Sequence, residues 1–542
     1  MNIVSWCERV IRAGFILLFA LVPLLLTPWN YELFEYNKMM AVYALTVTIV
    51  GAWIIKMIAQ KEIRIARTPL DIPLILFFLS QLVSALFSID HHVSWFGYYS
   101  RFNGGMWSVI SYILLYYAFV SNHLTVLPLL VAALWSGTIV ATYGVLERLG
   151  IDKHLWVQDV QNRVFSTLGQ PNWLAAYLVG LAPLAWYFVL PVQKLKLKIQ
   201  NYFWIGISTL FFTVLLFTRS RSGLVGFAVA DIAFWGLIFW KTRNVVRIRL
   251  PFVICHVAFV IVVFLNGTSI DSIDRWIRPQ SPSPATSEAT PSGYAAPLLE
   301  YGGTESGTIR KYVWQGAIAA WQSTTKTRLI GTGTETFTFA FYQYRPKEHN
   351  LTSEWDFLYN KAHNEYLNYL TTTGLFGLGS YLLIIGVFIA WFLKRIREPN
   401  TFVSTALFAG WVSILVTNFF GFSVVILQLF FFLFPAMIVA EQKPLTFPLR
   451  LSESKIRFAS LTVLFALLVL LVLLIRMWWA DVLFAKGYRG TRLGQYEQAK
   501  QTLAQAFAIN PIEPLYHDEA ASTLSLLTSL AIESRNATEA AE

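Results

Sequence analysis

The chain has 542 residues, is 56% hydrophobic and only 13% charged, and carries a formal net charge of +11. A soluble domain carries about 25% charged residues, so the bulk of this chain must sit in a membrane. The positive charge does not point to nucleic acid, because the basic residues are dispersed into short loops between apolar runs and none has the spacing of an RNA- or DNA-binding motif.

Arg9 and Arg12 precede an apolar run, as in a signal peptide, but the run ends at Pro28-Trp29 without a small-residue cleavage site and reads as a retained first span. A span needs about 20 apolar residues. Thirteen candidates follow in order: 11–28, 38–58, 71–89, 106–121, 124–146, 173–191, 201–218, 222–240, 250–266, 376–393, 402–419, 422–440 and 457–477. The expected fold class is therefore an all-α polytopic membrane protein with about 12–13 transmembrane helices. Cys7 and Cys255 lie in or beside apolar runs and supply neither a disulfide framework nor zinc spacing.

Orientation follows from lysine and arginine in the short loops. Lys56, Lys61, Arg64 and Arg67 follow span two; Lys194, Lys196 and Lys198 follow span six; Lys241, Arg243, Arg247 and Arg249 follow span eight. Lys394, Arg395 and Arg397 follow span ten, and Lys443, Arg450, Lys455 and Arg457 follow span twelve. All are even-numbered loops, so all fall on one side, the cytoplasm. The N-terminus is then cytoplasmic, whereas 267–363 and everything after 478 are extracytoplasmic.

The expected organisation is an N-terminal bundle of nine spans over 1–266, a large extracytoplasmic loop over 267–363, membrane helices over 364–477, and a helical tail over 478–542. Within the large loop, 279–300 is a Pro/Ser/Thr/Ala tract too polar to pack and reads as a flexible insert. The segment 310–363 is expected to be helical, with Arg310, Trp314 and Trp321 on one face. Residues 90–105 form an aromatic-rich loop suited to the membrane interface. The tail has Gly-x-Tyr-x-x-Ala, Ala506 and Asn510-Pro511, and resembles a tetratricopeptide helix pair; one repeat cannot bury its own face, so a second pair or a docked protein partner is expected.

Few residues are placed to carry chemistry. Arg219 and Arg221 break the positive-inside pattern in a loop too short to carry them far from the bilayer, where charge is expensive. They either snorkel to headgroups or grip a diphosphate, whose paired phosphates suit bidentate guanidinium donors. His91 and His92 point apart and lack a third ligand, so no metal is expected. Asp231, inside span eight, is expected to pack against a polar neighbour. With no Walker loop and no nucleotide fingerprint, no cofactor is expected either. His363 and Gly374 are eleven residues apart, which predicts one helical face shared with Leu367 and Leu370. Gly374-Leu375-Phe376-Gly377 can then break or bend that helix.

His363-Asn364, nine residues, then Gly374-x-x-Gly377 resembles the signature of the O-antigen ligase and polymerase superfamily. Ser220-Arg221 before a small residue, and Arg163 followed by Gly169-x-Pro171-Asn172, resemble two further segments of it. The resemblance implies a GT-C-like glycosyltransferase of the bacterial inner membrane. Its donor would be an undecaprenyl-diphosphate-linked glycan. His363 would be the general base; Arg221, Arg219, Arg163, Arg310 and Asn364 would bind substrate, with Arg101 a weaker candidate. The acceptor stays open among lipid A-core, another lipid-linked glycan and a protein side chain. A lipid-glycan flippase is the rival from another class, but the internal repeats and charged intramembrane track of a transporter are not found.

Overall fold

The computed structural model describes residues 2–190, 199–242, 246–268, 270–277, 305–398, 401–440, 444–449 and 452–533. In chain order the elements are α1 (Ile3–Ala20), α2 (Glu35–Gln60), β1 (Glu62–Ala66), α3 (Asp71–Leu86), α4 (His91–Phe96), α5 (Met106–Ser121), α6 (Val126–Arg148), α7 (Pro171–Val189), α8 (Ile199–Phe217), α9 (Arg221–Lys241) and α10 (Val246–Asn266). They continue with α11 (Asp271–Ile277), α12 (Glu305–Gln322), α13 (Thr325–Ile330), α14 (Phe337–Tyr344), α15 (Glu365–Arg395), α16 (Phe402–Phe419), α17 (Val425–Val439), β2 (Pro444–Pro448), α18 (Glu453–Arg492), α19 (Tyr496–Ile509) and α20 (Pro514–Glu533). Among the described residues, eight helices are long and apolar enough to cross a membrane, and α3, α5, α8 and α17 are shorter apolar helices. With α1, they take up all thirteen apolar segments of the sequence. The protein is an all-α multi-pass membrane protein, as expected of a chain whose backbone must satisfy its own hydrogen bonds in lipid. The insert 279–300, Lys194, Lys196, Lys198, Arg243, Lys443 and Arg450 lie outside the described residues.

α7 is the most enclosed of the eight long helices, with 83% of its apolar window buried, whereas the window of α18 is 0% buried and faces outward. α7 packs on α8, α9 and α16. The α7–α16 contact depends on small residues, since a Cβ on Gly410 would overlap the Gly180 carbonyl oxygen. Asp231 faces His256 from α9 to α10 at 3.2 Å, so the intramembrane acid does pack against a polar neighbour.

The loops sort onto two ends of the bundle. At one end β1 pairs antiparallel with β2, joining the loops after α2 and α17. Lys56 reaches Glu8 at 2.9 Å, Lys61 reaches Glu453 at 2.7 Å, and Arg397 lies over the Trp240 ring at 4.8 Å. At the other end Ile89 N donates to Thr332 O (2.9 Å), Asn103 Nδ2 to Ser423 O (2.8 Å) and Asn30 Nδ2 to Asp481 Oδ2 (2.7 Å). The first is here called the basic end and the second the site end.

Two expectations need correction. Helix does not run on to residue 363: α14 stops at Tyr344, because Pro346 forces Arg345 into extended backbone, and turns then lead to Asn364. The boundary drawn at 477/478 falls inside α18, which continues to Arg492 because Ala480 and Phe484 bury themselves against the tail rather than ending the helix.

α15 is broken where the sequence suggested, at Gly374, whose φ of 65° and ψ of −166° are non-helical. The break leaves the carbonyls of Thr371 and Thr372 without helical N–H donors. Thr332 N (3.1 Å) and Gly333 N (2.9 Å) take up those two carbonyls, and Ser84 Oγ adds a third bond to Thr372 O at 2.8 Å. The loop after α13 is thereby fastened onto the kinked helix. A Cβ at Gly374 would overlap the backbone of Leu329, while Gly379, on the same helix, faces open space. Gly374→Ala should therefore destabilise the purified protein by at least the ~1–3 kcal/mol of a strained backbone. Gly379→Ala should be neutral or slightly stabilising. Thermal unfolding in detergent checks the pair, and equal midpoints would mean that the kink carries no load.

Candidate functional site

His363 is not on the face of a helix. It stands one residue before the N-cap of α15 with φ 52°, because Asn364 turns inward and its Oδ1 accepts from Leu367 N at 3.0 Å. Asn364 is buried and spent on that cap, and it lines neither space described below. The half-exposed imidazole is set edge-on between the rings of Tyr359 (5.5 Å between centroids) and Phe422 (5.4 Å). Two residues earlier, buried Lys361 is ion-paired with buried Glu335, which anchors the approach to His363 from below.

His363 borders two adjoining spaces. The first is a narrow cleft of about 20 Å³ formed by the first turns of α7 and α9 and the loop between α16 and α17; Asn172, Ser222, Thr417 and Gly421 lie in its wall. The second is a cavity of about 1050 Å³ at the site end, walled by the loop before α2, α4 and its following loop, α14, residues 357–360 and the start of α20. Gln170, Trp173, His363 and Phe422 line both, so the two meet at the imidazole.

The residues drawn from loops five and seven come together. Ser220 caps α9, accepting from Gly223 N at 3.2 Å, and its hydroxyl donates to Asn172 Oδ1 at 2.8 Å. This bond ties the starts of α7 and α9 beside the cleft. Arg163 Nε donates to Thr218 O at 3.2 Å, which lays loop five against loop seven. Arg221 opens α9 and is exposed; the adjacent Arg219 is held at φ 51°. Burial lowers the Arg219 pKa and the nearby Arg148 guanidinium lowers it further, opposed by Asp159. Arg163, through Thr218, and Arg148, through Arg219, are thus tied to the loop that leads into α9, where Arg221 precedes the cleft-lining Ser222. Arg310 stands one turn before Trp314 on α12, and Trp314 meets Phe419 at 6.0 Å. None of Arg163, Arg219, Arg221 and Arg310 lines the cleft or the large cavity.

The arginine that does line the large cavity with His363 is Arg101. Its guanidinium lies over the Trp173 ring at 5.0 Å, a cation–π placement. Its charge also acts on Glu32, whose carboxyl pKa is pushed up by burial and pulled back by the Tyr36 N–H bond, Arg101 and Lys38. Sequence spacing ranked Arg101 last because it sits in an irregular loop far along the chain from every motif. Tyr359, Phe422 and the Glu335–Lys361 pair carried no signal of their own. His92 Nε2 meets Glu513 Oε2 at 3.2 Å, and that bond raises the His92 pKa.

Residues 206–382 match the family model described as O-Antigen ligase. The match begins within α8 and ends within α15, so it includes loop seven and His363 but stops short of Arg101, Arg163 and the tail. No curated protein matches the chain.

The packing behind His363 has a pH limit. His349 is fully buried and meets the far side of Tyr359 at 5.4 Å. Burial, with a smaller push from Arg345, lowers its pKa to about 4. Unfolded histidine takes a proton near 6.5. Between those values the unfolded segment binds more protons than the folded one, so stability falls as pH drops from about 6.5 to about 4 and no further below. Hydrogen-exchange protection over 337–362, corrected for the intrinsic pH dependence of amide exchange, should be lower at pH 5 than at pH 7.5, and His349→Phe should flatten the difference. An unchanged pH response in that variant would place the titration elsewhere.

Proposed function

We propose that this chain, whose residues 206–382 match the family model described as O-Antigen ligase, moves a glycan from undecaprenyl diphosphate to an acceptor hydroxyl at the extracytoplasmic face of the bacterial inner membrane. The observation that carries the reading is the position of His363, where the α7–α9 cleft, whose Ser222 adjoins Arg221, opens into a cavity lined by Arg101 and large enough for a glycan.

In this mechanism Arg221 and Arg219, with Arg163 behind them, hold the diphosphate through forked, charge-assisted hydrogen bonds. Arg101 serves the same charge from the cavity side; Arg310 is a more distant contributor. The acceptor oxygen attacks the anomeric carbon as its proton passes to the His363 imidazole. The anomeric C–O bond breaks and its electron pair leaves with undecaprenyl diphosphate, a good leaving group that the guanidinium groups stabilise as charge develops. One displacement inverts the anomeric centre. An imidazole is the side chain whose unperturbed proton affinity suits a base near neutral pH. Asn364 acts through the turn that aims His363.

Transfer from purified lipid-linked glycan is the assay. His363→Ala should lose about 10²–10⁴-fold in rate, the usual worth of a positioned general base, while still binding donor. Arg221→Ala should lose transfer with normal membrane insertion, and Arg221→Lys should recover only part of it because an ammonium lacks the planar fork. Wild-type turnover by His363→Ala would end the general-base reading.

The lysines and arginines gathered at the basic end support a cytoplasmic location for it, and with it an outer-leaflet donor. Reporter fusions at residues 290 and 500 should report an extracytoplasmic location. Cytoplasmic activity of either would reverse the topology and remove the donor's route to His363.

A further inference from the structure

A buried carboxylate beside His363 has no part in the chemistry above. Glu365 opens α15 two residues after the imidazole, is 4% exposed, and accepts through Oε2 from Ser423 N at 3.3 Å. That N–H belongs to the peptide group that joins Phe422 to Ser423. The next carbonyl, Ser423 O, accepts from Asn103 Nδ2 at 2.8 Å, and Ser423 Oγ accepts from Asn418 Nδ2 at 2.9 Å. Two successive planar peptide groups are therefore clamped, one from α15 and one from the loop after α4. Asn103, Asn418 and Ser423 are all buried.

The same three segments meet a second time, at the walls of the two spaces. His363 is edge-on to Phe422, the Phe422 ring meets Trp173 at 6.0 Å, and the Arg101 guanidinium lies over Trp173 at 5.0 Å. This aromatic row runs from His363 to the arginine that shares its cavity. Glu365 and Asn103 lie behind that wall, where they line a chamber of about 10 Å³ together with Lys361 and Glu335. Each member of the polar row is a close sequence neighbour of a residue at the wall: Glu365 of His363, Ser423 of Phe422, Asn103 of Arg101. Ring contacts alone hold their spacing loosely, since they are worth about 0.5–1.5 kcal/mol and tolerate centroid separations of about 4.5–7 Å. A hydrogen bond confines its donor and acceptor to about half an ångström, and a buried partner left unmade costs about 1–3 kcal/mol.

We propose that Glu365 and Asn103 are positioning residues that act through Ser423 to set the separation of His363 from Arg101. What that separation serves rests on the transferase reading: a base and a cation on two loops must reach the same sugar diphosphate. In this role Glu365 is needed as a hydrogen-bond acceptor. The competing role is electrostatic, because a carboxylate in the first turn of a helix is favoured by the helix dipole. Glutamine tells the two apart, since it keeps the acceptor and loses the charge.

Full-length protein in detergent is the material, with variants Glu365→Gln, Glu365→Ala and Asn103→Ala, each checked for folding by gel filtration and thermal unfolding. Should Glu365→Ala fail to fold, Asn103→Ala breaks the polar row at its other end and gives the same readouts. The first measurement needs no substrate: the rate at which diethyl pyrocarbonate modifies His363 at pH 7, followed by peptide mass spectrometry. Both alanine variants should react about two- to tenfold faster, the exposure that follows from losing an aromatic contact, and Glu365→Gln should stay within about twofold of wild type. The second is transfer from lipid-linked glycan. In the alanine variants kcat should fall by about ten- to a hundredfold, as for a misplacement of about 1 Å, while KM for the donor stays within about threefold; Glu365→Gln should recover most of the loss. The third is a double-mutant cycle, in which Glu365→Ala should cost less when Arg101→Ala is already present. Unchanged His363 modification in a folded alanine variant overturns the proposal. So does a Glu365→Gln variant that behaves like Glu365→Ala, or a cycle whose two effects simply add. A wild-type protein that transfers from no lipid diphosphate would count against the transferase reading, and the modification rates would still decide whether Glu365 and Asn103 position His363.

Discussion

The break at Gly374 is the constraint on which the site depends. A straight α15 would satisfy its own carbonyls and present nothing to the segment before it. The non-helical residue frees Thr371 and Thr372, and the backbone of Thr332 and Gly333 occupies them. Because buried carbonyls are costly to leave unpaired, this junction is specified in position as well as in energy. It fixes the loop after α13, and Glu335 in that loop then reaches Lys361. His363 is thus held at both flanks: by the ion pair two residues before it and by the Asn364 cap directly after it.

Buried charge is used for the same purpose elsewhere. Lys38 and Glu35 are almost wholly buried and 3.5 Å apart; Lys38 donates to Thr167 O (2.8 Å), and Glu35 accepts from Val425 N (2.8 Å). One pair on α2 therefore sets both the approach to α7 and the start of α17, whose flanking loops supply Gln170 and Phe422 around His363. Such pairs are poor sources of net stability, since desolvation offsets most of the attraction, yet removing one partner leaves an uncompensated charge. Their value here is register: each fixes where two chain segments meet at the site end.

What could be read in the sequence follows from what lipid enforces. A segment that crosses hydrocarbon must be apolar for about 20 residues and must satisfy its backbone internally, so the thirteen segments became helices wherever the residues are described. The pairing of β1 with β2 agrees with the charge pattern that had put their loops on one side. Local chemistry was legible too: Gly374 as a kink and Asp231 beside a polar partner. The expected helical face of His363 failed because Asn364 is a better N-cap than a helix interior residue, and the cap forces the preceding residue out of the helix. Arg101, Phe422 and Glu513 were not legible as members of one site. They lie in three separate loops, and only tertiary packing brings them to His363.

The tail shows the same limit from the other side. Its sequence suggested a repeat standing apart from the membrane part and seeking a partner. In the structure α18 runs unbroken from the apolar segment into the tail, and Gly487 lets Leu503 of α19 close onto it. Part of the apolar face that one helix pair cannot bury alone is covered by this chain itself, with Phe484 and Tyr516 stacked at 4.7 Å and Tyr31 and Tyr99 packed around them. A rigid helix transmits position far better than a flexible linker. Whatever fills the cavity at the start of α20 therefore meets a wall whose distance from His363 is set by the fold. That is the requirement for a group that orients one substrate against another, because misplacement by about 1 Å is enough to cost a large factor in rate.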